Sequence, residues 1–68
     1  MKNTIKVERA KRDMTQQDLA EEIHVSRQTI NSIEAGRYVP SALLAIRISN
    51  VFGTTVNDIF TLEETDLD

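Results

Sequence analysis

The chain has 68 residues, of which 40% are hydrophobic, and it contains no cysteine. A chain of this length forms one domain and buries only about 60% of the surface that it exposes when unfolded. The lack of thiols excludes disulfides and thiolate metal sites. No apolar run reaches the roughly 18 residues of a membrane span. We therefore expect a cytoplasmic protein without a signal peptide.

The charge is divided unevenly along the chain. Residues 1–47 hold all eight basic side chains and six acidic ones, whereas residues 48–68 hold five acidic side chains and no basic one. The net charge of −3 therefore combines a mildly basic segment, at +2, with an acidic one, at −5. This asymmetry is compatible with a polyanion bound by the basic segment, although a charge of +2 alone does not predict such a partner.

Signals for helix starts and helix ends recur along the chain. Thr15, Ser26 and Ser41 are good N-cap residues, and Gly36 and Gly53 are good stop signals. Apolar residues follow the caps at helical spacing. These signals predict five helices, over 4–13, Gln16–Ile23, 27–35, Ala42–Phe52 and a short turn at 57–59 capped by Asn57, followed by a weakly alternating Phe60-Thr61-Leu62.

The segment between the second and third helices predicts a sharp corner. Ala20 is small enough to let two helix backbones approach each other, and His24 is one of the few non-glycine residues enriched in the left-handed backbone region. Val25 then follows as an apolar plug between the helices. The spacing of these three residues predicts a helix-turn-helix.

The stretch TQQDLAEEIHVSRQTINSIEAGRYVPS, residues 15–41, resembles the helix-turn-helix of the phage Cro/repressor family, also called the xenobiotic-response-element family. The resemblance covers roughly residues 4–60. It implies an all-α bundle of about five helices that binds operator DNA as a two-fold dimer. It also implies a small two-stranded sheet between residues 1–3 and 60–63. The departure is His24, where the family often has glycine.

Candidate base-reading residues lie on the polar side of the third helix. Arginine pairs with guanine O6 and N7, and glutamine and asparagine pair with adenine N6 and N7. The family resemblance assigns base reading to Arg27, Gln28, Asn31 and Ser32. The alternative is that this polar face is simply solvated.

A second set of residues is expected to contact the DNA backbone. The first turn of the second helix offers free amides to a phosphate, and residues just after the third helix can hold the next phosphates. The set comprises Thr15, Gln16, Gln17, Ser26, Arg37, Tyr38 and Ser41. Ser26 is chiefly a helix cap, and Tyr38 could equally be a packing residue.

The resemblance further implies an ion pair between Arg9 and Glu34, which would tie the first helix to the end of the third. The alternative is two independent surface charges. An arginine suits such a pair, because its planar fork can meet a carboxylate with two hydrogen bonds.

The C-terminal third contains more apolar residues than a small bundle readily buries. We therefore expect a homodimer, with Val56, Phe60 and Leu62 as interface residues. The domain assignment is residues 1–62 as the DNA-binding domain, with its dimerisation surface in the C-terminal third, and residues 63–68 as a frayed acidic tail.

These observations predict a sequence-specific DNA-binding transcriptional regulator, most simply a repressor, whose partners are double-stranded DNA with inverted half-sites and a second copy of the chain. The alternative is an antitoxin-like protein-interaction module that also binds DNA. An enzyme is not expected, because the chain has one histidine, no cysteine and no glycine-rich phosphate loop. No cofactor, metal or small-molecule ligand is predicted.

Overall fold

The computed structural model describes residues 1–67. Five α-helices form a bundle, and two short strands join its ends. The elements in chain order are β1 (Lys2–Asn3), α1 (Ile5–Lys11), α2 (Gln16–Ile23), α3 (Arg27–Glu34), α4 (Ala42–Phe52), α5 (Val56–Ile59), β2 (Phe60–Thr61) and a 3-10 helix (Glu64–Leu67). The predicted fold class, five helices with a small two-stranded sheet, is confirmed.

The N-cap residues of α2, α3 and α4 are those that the sequence predicts. Thr15 and Asp18 form a reciprocal capping box: the Thr15 hydroxyl accepts from the Asp18 N–H at 3.0 Å, and the Asp18 carboxylate accepts from the Thr15 N–H at 2.9 Å. Ser26 and Ser41 each accept from the backbone N–H three residues on, at 3.2 Å. Gly53 ends α4 with a φ of +67°. Local hydrogen bonding therefore fixes where α2, α3 and α4 begin.

Four helix boundaries differ from the predicted ones, two of them by one residue: α1 begins at Ile5 rather than at residue 4, and α3 ends at Glu34 rather than at residue 35. The first helix ends at Lys11, because the next two N–H groups bond to carbonyls only three residues back and Asp13 has a φ of +52°. The last helix begins at Val56 rather than after Asn57, because Thr55 is the extended residue before it. The Asp58 carboxylate accepts from the Thr55 N–H at 3.2 Å.

One hydrophobic core holds the bundle together. All five helices and β2 contribute to it, and most of its side chains are completely buried. Its members are Ile5, Leu19, Ala20, Ile23, Ile30, Ile33, Ala45, Ile48, Phe52, Ile59 and Phe60. α2 and α3 are therefore held by the same core, with their opposite faces left for other contacts.

The two-stranded sheet joins the chain ends and reaches the end of α3. β1 and β2 are antiparallel, with Lys2 opposite Thr61 and Asn3 opposite Phe60. The Asn3 side-chain amide also donates to the Ile33 carbonyl at 2.9 Å. The sheet thereby fixes the C-terminal end of the third helix.

The structure corrects the expected position of Phe60. Its side chain is 8% exposed and belongs to the core of the single chain, because pairing with β1 turns this residue inward. Little of it remains for a partner. Leu62, two residues on, is 62% exposed.

The acidic tail also differs from the frayed end that we expected. Residues 64–67 form a 3-10 helix, and the amino group of Met1 lies 3.2 Å from a Glu63 carboxylate oxygen and 3.0 Å from one of Asp66. Hydrogen bonds to these two carboxylates raise the pKa of the Met1 amino group. The Glu63 N–H and then the Met1 amino group lower the pKa of Asp66. Asp68 lies outside the described residues.

Candidate nucleic-acid interface

The corner between α2 and α3 has the predicted backbone geometry. His24 ends α2 in the left-handed region, with a φ of +61° and a ψ of +46°. The Val25 N–H bonds back to the Ala20 carbonyl at 3.0 Å, and the Ala20 side chain is fully buried. Histidine therefore takes the backbone conformation that glycine adopts at least cost.

The helix after this corner is strongly amphipathic. Ile30 and Ile33 of α3 are buried, whereas Arg27, Gln28 and Asn31 are exposed. Ser32 is half-buried, and its carbonyl accepts N–H bonds from the two residues that follow Gly36, at 3.0 and 3.3 Å. The four residues predicted to read bases thus share α3, but Ser32 is less accessible than the other three.

The residues expected to contact the DNA backbone lie around this face. Gln16 is half-buried, and the others are exposed: Thr15, Gln17, Ser26, Arg37, Tyr38 and Ser41. The hydroxyls of the three cap residues accept backbone N–H groups. Those of Thr15 and Ser41 keep a proton to donate, whereas the Ser26 hydroxyl also shares a hydrogen bond with the Thr29 hydroxyl. Gln17 is turned aside, since its amide donates to Glu21 at 3.2 Å.

One residue of this surface was not predicted. Thr29 lies beside Gln28 in a shallow groove of about 280 Å³ that is also lined by Ser26, Ser32 and Tyr38. Its hydroxyl lies 3.0 Å from that of Ser26. A polar residue three positions after a serine cap could have indicated this contact.

Arg9 and Glu34 form a two-pronged ion pair at the base of the interface. Arg9 donates to the two carboxylate oxygens at 2.7 and 2.9 Å and to the Met14 carbonyl at 2.9 Å. The side chains are 13% and 9% exposed. The hydrogen bonds to Glu34 raise the pKa of Arg9. The pair thus joins α1 to the last residue of α3.

Glu34 also begins a run of side-chain hydrogen bonds across the face. Gln16 Nε2 donates to Glu34 Oε1 at 3.4 Å, and Asn31 Nδ2 donates to Gln16 Oε1 at 3.5 Å. The guanidinium of Arg37 donates to Asn31 Oδ1 at 3.0 Å. The run connects α2, α3 and the segment after α3.

Comparison with known proteins assigns the family. The helix-turn-helix family model of the Cro/C1 type matches residues 5–59, which is most of the chain. The chain belongs to this helix-turn-helix family. An uncharacterized HTH-type transcriptional regulator of Methanocaldococcus jannaschii is 50% identical over 64 residues, covering 94% of this chain and 97% of the relative.

Two further proteins are similar to this helix-turn-helix chain. The uncharacterized HTH-type transcriptional regulator YgzD of Bacillus subtilis is 47% identical over 64 residues, covering 94% of this chain and 97% of YgzD. The crystal structure of the clp gene regulator ClgR from Corynebacterium glutamicum superposes with a TM-score of 0.73 at 30% identity, over 79% of this chain and 57% of that one.

Family membership establishes the general activity. The helix-turn-helix family consists of DNA-binding transcriptional regulators and not of enzymes, and this chain is one of them. In helix-turn-helix proteins the second helix of the motif enters the major groove while the first crosses the backbone. In this chain those two helices are α3 and α2. No helix within residues 1–67 is both long and apolar enough to cross a membrane.

Proposed function

We propose that the protein is a sequence-specific repressor that binds a two-fold operator as a homodimer. The observation that carries the proposal is the exposed polar face of α3, where three side chains able to read base edges stand opposite a buried apolar face. A merely solvated helix needs no such set of amide and guanidinium groups, whereas the major groove offers partners for each of them.

Arg27 and Gln28 carry most of the sequence choice in this proposal. Ser26 caps α3, so both residues lie in its first turn, at the end that enters the groove in helix-turn-helix proteins. Asn31 follows one turn later, and Ser32 contributes through the part of its side chain that remains exposed. The arginine fork suits guanine and the amides suit adenine.

Phosphate contacts anchor the protein in the same proposal. Arg37 and Gln16 are the main anchors, with Thr15, Gln17, Tyr38 and Ser41 around them. Such contacts need a few well-placed donors per subunit, not a basic protein overall. A net charge of −3 is therefore no obstacle to DNA binding, particularly since the Met1 amino group neutralises part of the acidic tail.

Two subunits are needed because one recognition helix covers few base pairs. A two-fold dimer reaches two half-sites about 34 Å apart, one turn of DNA. The exposed Leu62 and the half-buried Val56 support an interface near the C-terminal end, although Phe60 belongs to the core. A dimer bound in this way represses most simply by blocking other proteins from the same DNA.

The interface can be tested with matched lysine substitutions. α4 carries another exposed apolar pair, Leu43 and Ile46, one helical turn apart. We expect Leu62→Lys to convert a dimer into a monomer in sedimentation at tens of micromolar, while Ile46→Lys remains dimeric. If Ile46→Lys is monomeric and Leu62→Lys is dimeric, the interface lies on α4 instead. A monomeric wild-type protein would contradict the proposed dimer.

DNA reading is tested by titrating operator and scrambled DNA at two salt concentrations. Gln28→Ala should weaken operator binding by about five- to 100-fold for each half-site and scarcely change binding to scrambled DNA. Arg37→Ala should weaken both and reduce the salt dependence by about one phosphate per subunit. Lys11→Ala, which removes an exposed basic side chain of α1 that is paired with Glu8, serves as the control. If Gln28→Ala and Arg27→Ala each weaken binding to operator DNA and to scrambled DNA by the same factor, the assignment of base reading to α3 is wrong.

A further inference from the structure

The run of hydrogen bonds on the interface has a direction. Glu34 at one end is an anion and can only accept, and Arg37 at the other end is a cation and can only donate. Between them, the amide of Gln16 gives its nitrogen to Glu34 and its oxygen to Asn31. The amide of Asn31 gives its nitrogen to Gln16 and its oxygen to Arg37.

The charges at the two ends fix which way both amides point. If the amide of Asn31 were turned over, its nitrogen would face the guanidinium of Arg37, donor against donor, and its oxygen would face the Gln16 oxygen. If the amide of Gln16 were turned over, its oxygen would face the Glu34 carboxylate. Each reversal loses two hydrogen bonds and places like partial charges together.

Glu34 is itself held in place by the ion pair. Arg9 binds both of its carboxylate oxygens, and the Glu34 side chain is only 9% exposed. The anionic end of the run is therefore rigid. The orientation of an exposed side chain on α3 is thus tied, through Gln16, to a nearly buried group.

The run leaves Asn31 with one free donor and one free acceptor. An amide group has two N–H donors and two acceptor sites on oxygen, and the run uses one of each. In the major groove, adenine is the base that presents an acceptor beside a donor, at N7 and N6, whereas guanine presents two acceptors. The groups left on Asn31 complement adenine.

We propose that Gln16 and Arg37 are positioning residues that orient the amide of Asn31, between the charges of Glu34 and Arg37, to read an adenine in the operator. This rests on the proposed function, because it specifies how one residue of the α3 face reads a base. Both residues therefore influence sequence choice as well as phosphate binding. The free protein holds the reading group in its working orientation before DNA arrives, which lowers the entropy cost of the contact.

The test measures base discrimination at one operator position. This position is identified as the adenine whose replacement by another base weakens DNA binding by the wild-type protein but not by the Asn31→Ala variant. Wild-type protein should discriminate there by about five- to 100-fold. Gln16→Leu and Arg37→Ala should bring that ratio to within about threefold of the Asn31→Ala value, and adding Asn31→Ala to either should change it no further.

Gln17→Leu is the matched control, because the neighbouring glutamine bonds to Glu21 and takes no part in the run. It should leave the ratio at the adenine unchanged, whatever it does to affinity. If Gln16→Leu and Arg37→Ala weaken binding to every base at that position by the same factor, both residues are phosphate anchors only and the proposal is overturned.

The free protein gives a readout that does not depend on DNA. In nuclear magnetic resonance spectra, the side-chain amide signals of Asn31 should shift in Gln16→Leu and in Arg37→Ala but not in Gln17→Leu. Unchanged signals overturn the orienting role. A different outcome separates this proposal from the proposed function. If these signals shift but the wild-type protein shows no sequence preference, the run does orient Asn31, but the proposed function is wrong and so is the reading of an adenine.

Discussion

The exposed face of α3 and the exposed part of the C-terminal end differ in the polarity of their side chains. On α3 the exposed groups are polar, and Asn31 bonds to neighbours from two other segments. After β2, near the C-terminal end, the large apolar side chain of Leu62 is exposed instead. A polar, internally bonded face suits base edges and phosphates, whereas exposed apolar groups gain by losing water against another apolar surface. The comparison supports the proposal that the α3 face contacts DNA and that the C-terminal end contacts a second copy of the chain.

The largest effect that can test this comparison is expected at Phe60. Phe60→Ala should lower the free energy of unfolding by about 3–5 kcal/mol, because it removes a buried aromatic ring from the core of a small domain. Leu62→Ala should lower it by less than about 0.5 kcal/mol at concentrations where the chain is monomeric. Urea unfolding followed by circular dichroism measures both. Equal losses would mean that Leu62 is also a core residue and not part of an exposed surface.

The ion pair of Arg9 with Glu34, at the end of α3, comes next. Arg9→Ala or Glu34→Ala should cost about 3 kcal/mol or more, because each leaves a poorly exposed charge without its partner. The double substitution should cost less than the sum of the two. The pair of Lys11 with Glu8 is the control, since the Lys11 side chain is 64% exposed and such pairs contribute about 0–1 kcal/mol. Additive losses at Arg9 and Glu34 would show that the two charges act independently.

The α2–α3 region could be predicted from sequence because its signals are local. The capping box of Thr15 and Asp18, the Ser26 cap and the left-handed His24 each depend on residues within a few positions. The hydrogen-bond run could not be predicted, because it joins side chains from separate segments whose distances only the folded chain sets. Its members were named individually, but their order and direction were not.

The C-terminal third was harder to predict for a different reason. Core and interface both require apolar residues, so composition alone does not separate Phe60 from Leu62. The pairing of Asn3 with Phe60 decides which residue turns inward. The tail was expected to fray because its sequence is acidic, and the Met1 amino group that pairs with it lies at the other end of the chain.

The two serine caps offer a smaller and more specific test. Ser26→Ala and Ser41→Ala should each cost about 1 kcal/mol of stability, since both hydroxyls accept the same kind of backbone N–H at 3.2 Å. Only Ser26→Ala should reduce discrimination between operator and scrambled DNA, because it loosens the first turn of α3. A loss of discrimination in Ser41→Ala of the same size would mean that α4, and not only α3, carries sequence choice.

The smallest effect concerns the pH dependence of the tail. The raised pKa of the Met1 amino group means that its contribution is complete below its ordinary value of about 8 and is lost as the pH rises through the raised pKa. The lowered pKa of Asp66 means that its contribution is complete above about 4 and is lost as the pH falls through the lowered pKa.

The tail should therefore be most ordered between about pH 4 and pH 8, with loosening on both sides. Amide hydrogen exchange or resonance positions of residues 63–67, followed from pH 3 to pH 10, measure this. Asp66→Asn should reduce the loosening at high pH, because it removes one of the two partners of the amino group. A tail that responds to pH identically in wild type and Asp66→Asn would contradict the contact.

The central claim is that the exposed face of α3 reads a two-fold DNA sequence, and selection from a random DNA library with purified protein tests it most directly. The predicted result is an enriched sequence with two inverted half-sites whose centres lie about 34 Å apart. Selection with Gln28→Ala should lose the preference at specific positions in both half-sites together. Recovery of no enriched sequence, or of the same sequence with Gln28→Ala and with Arg27→Ala, would contradict it.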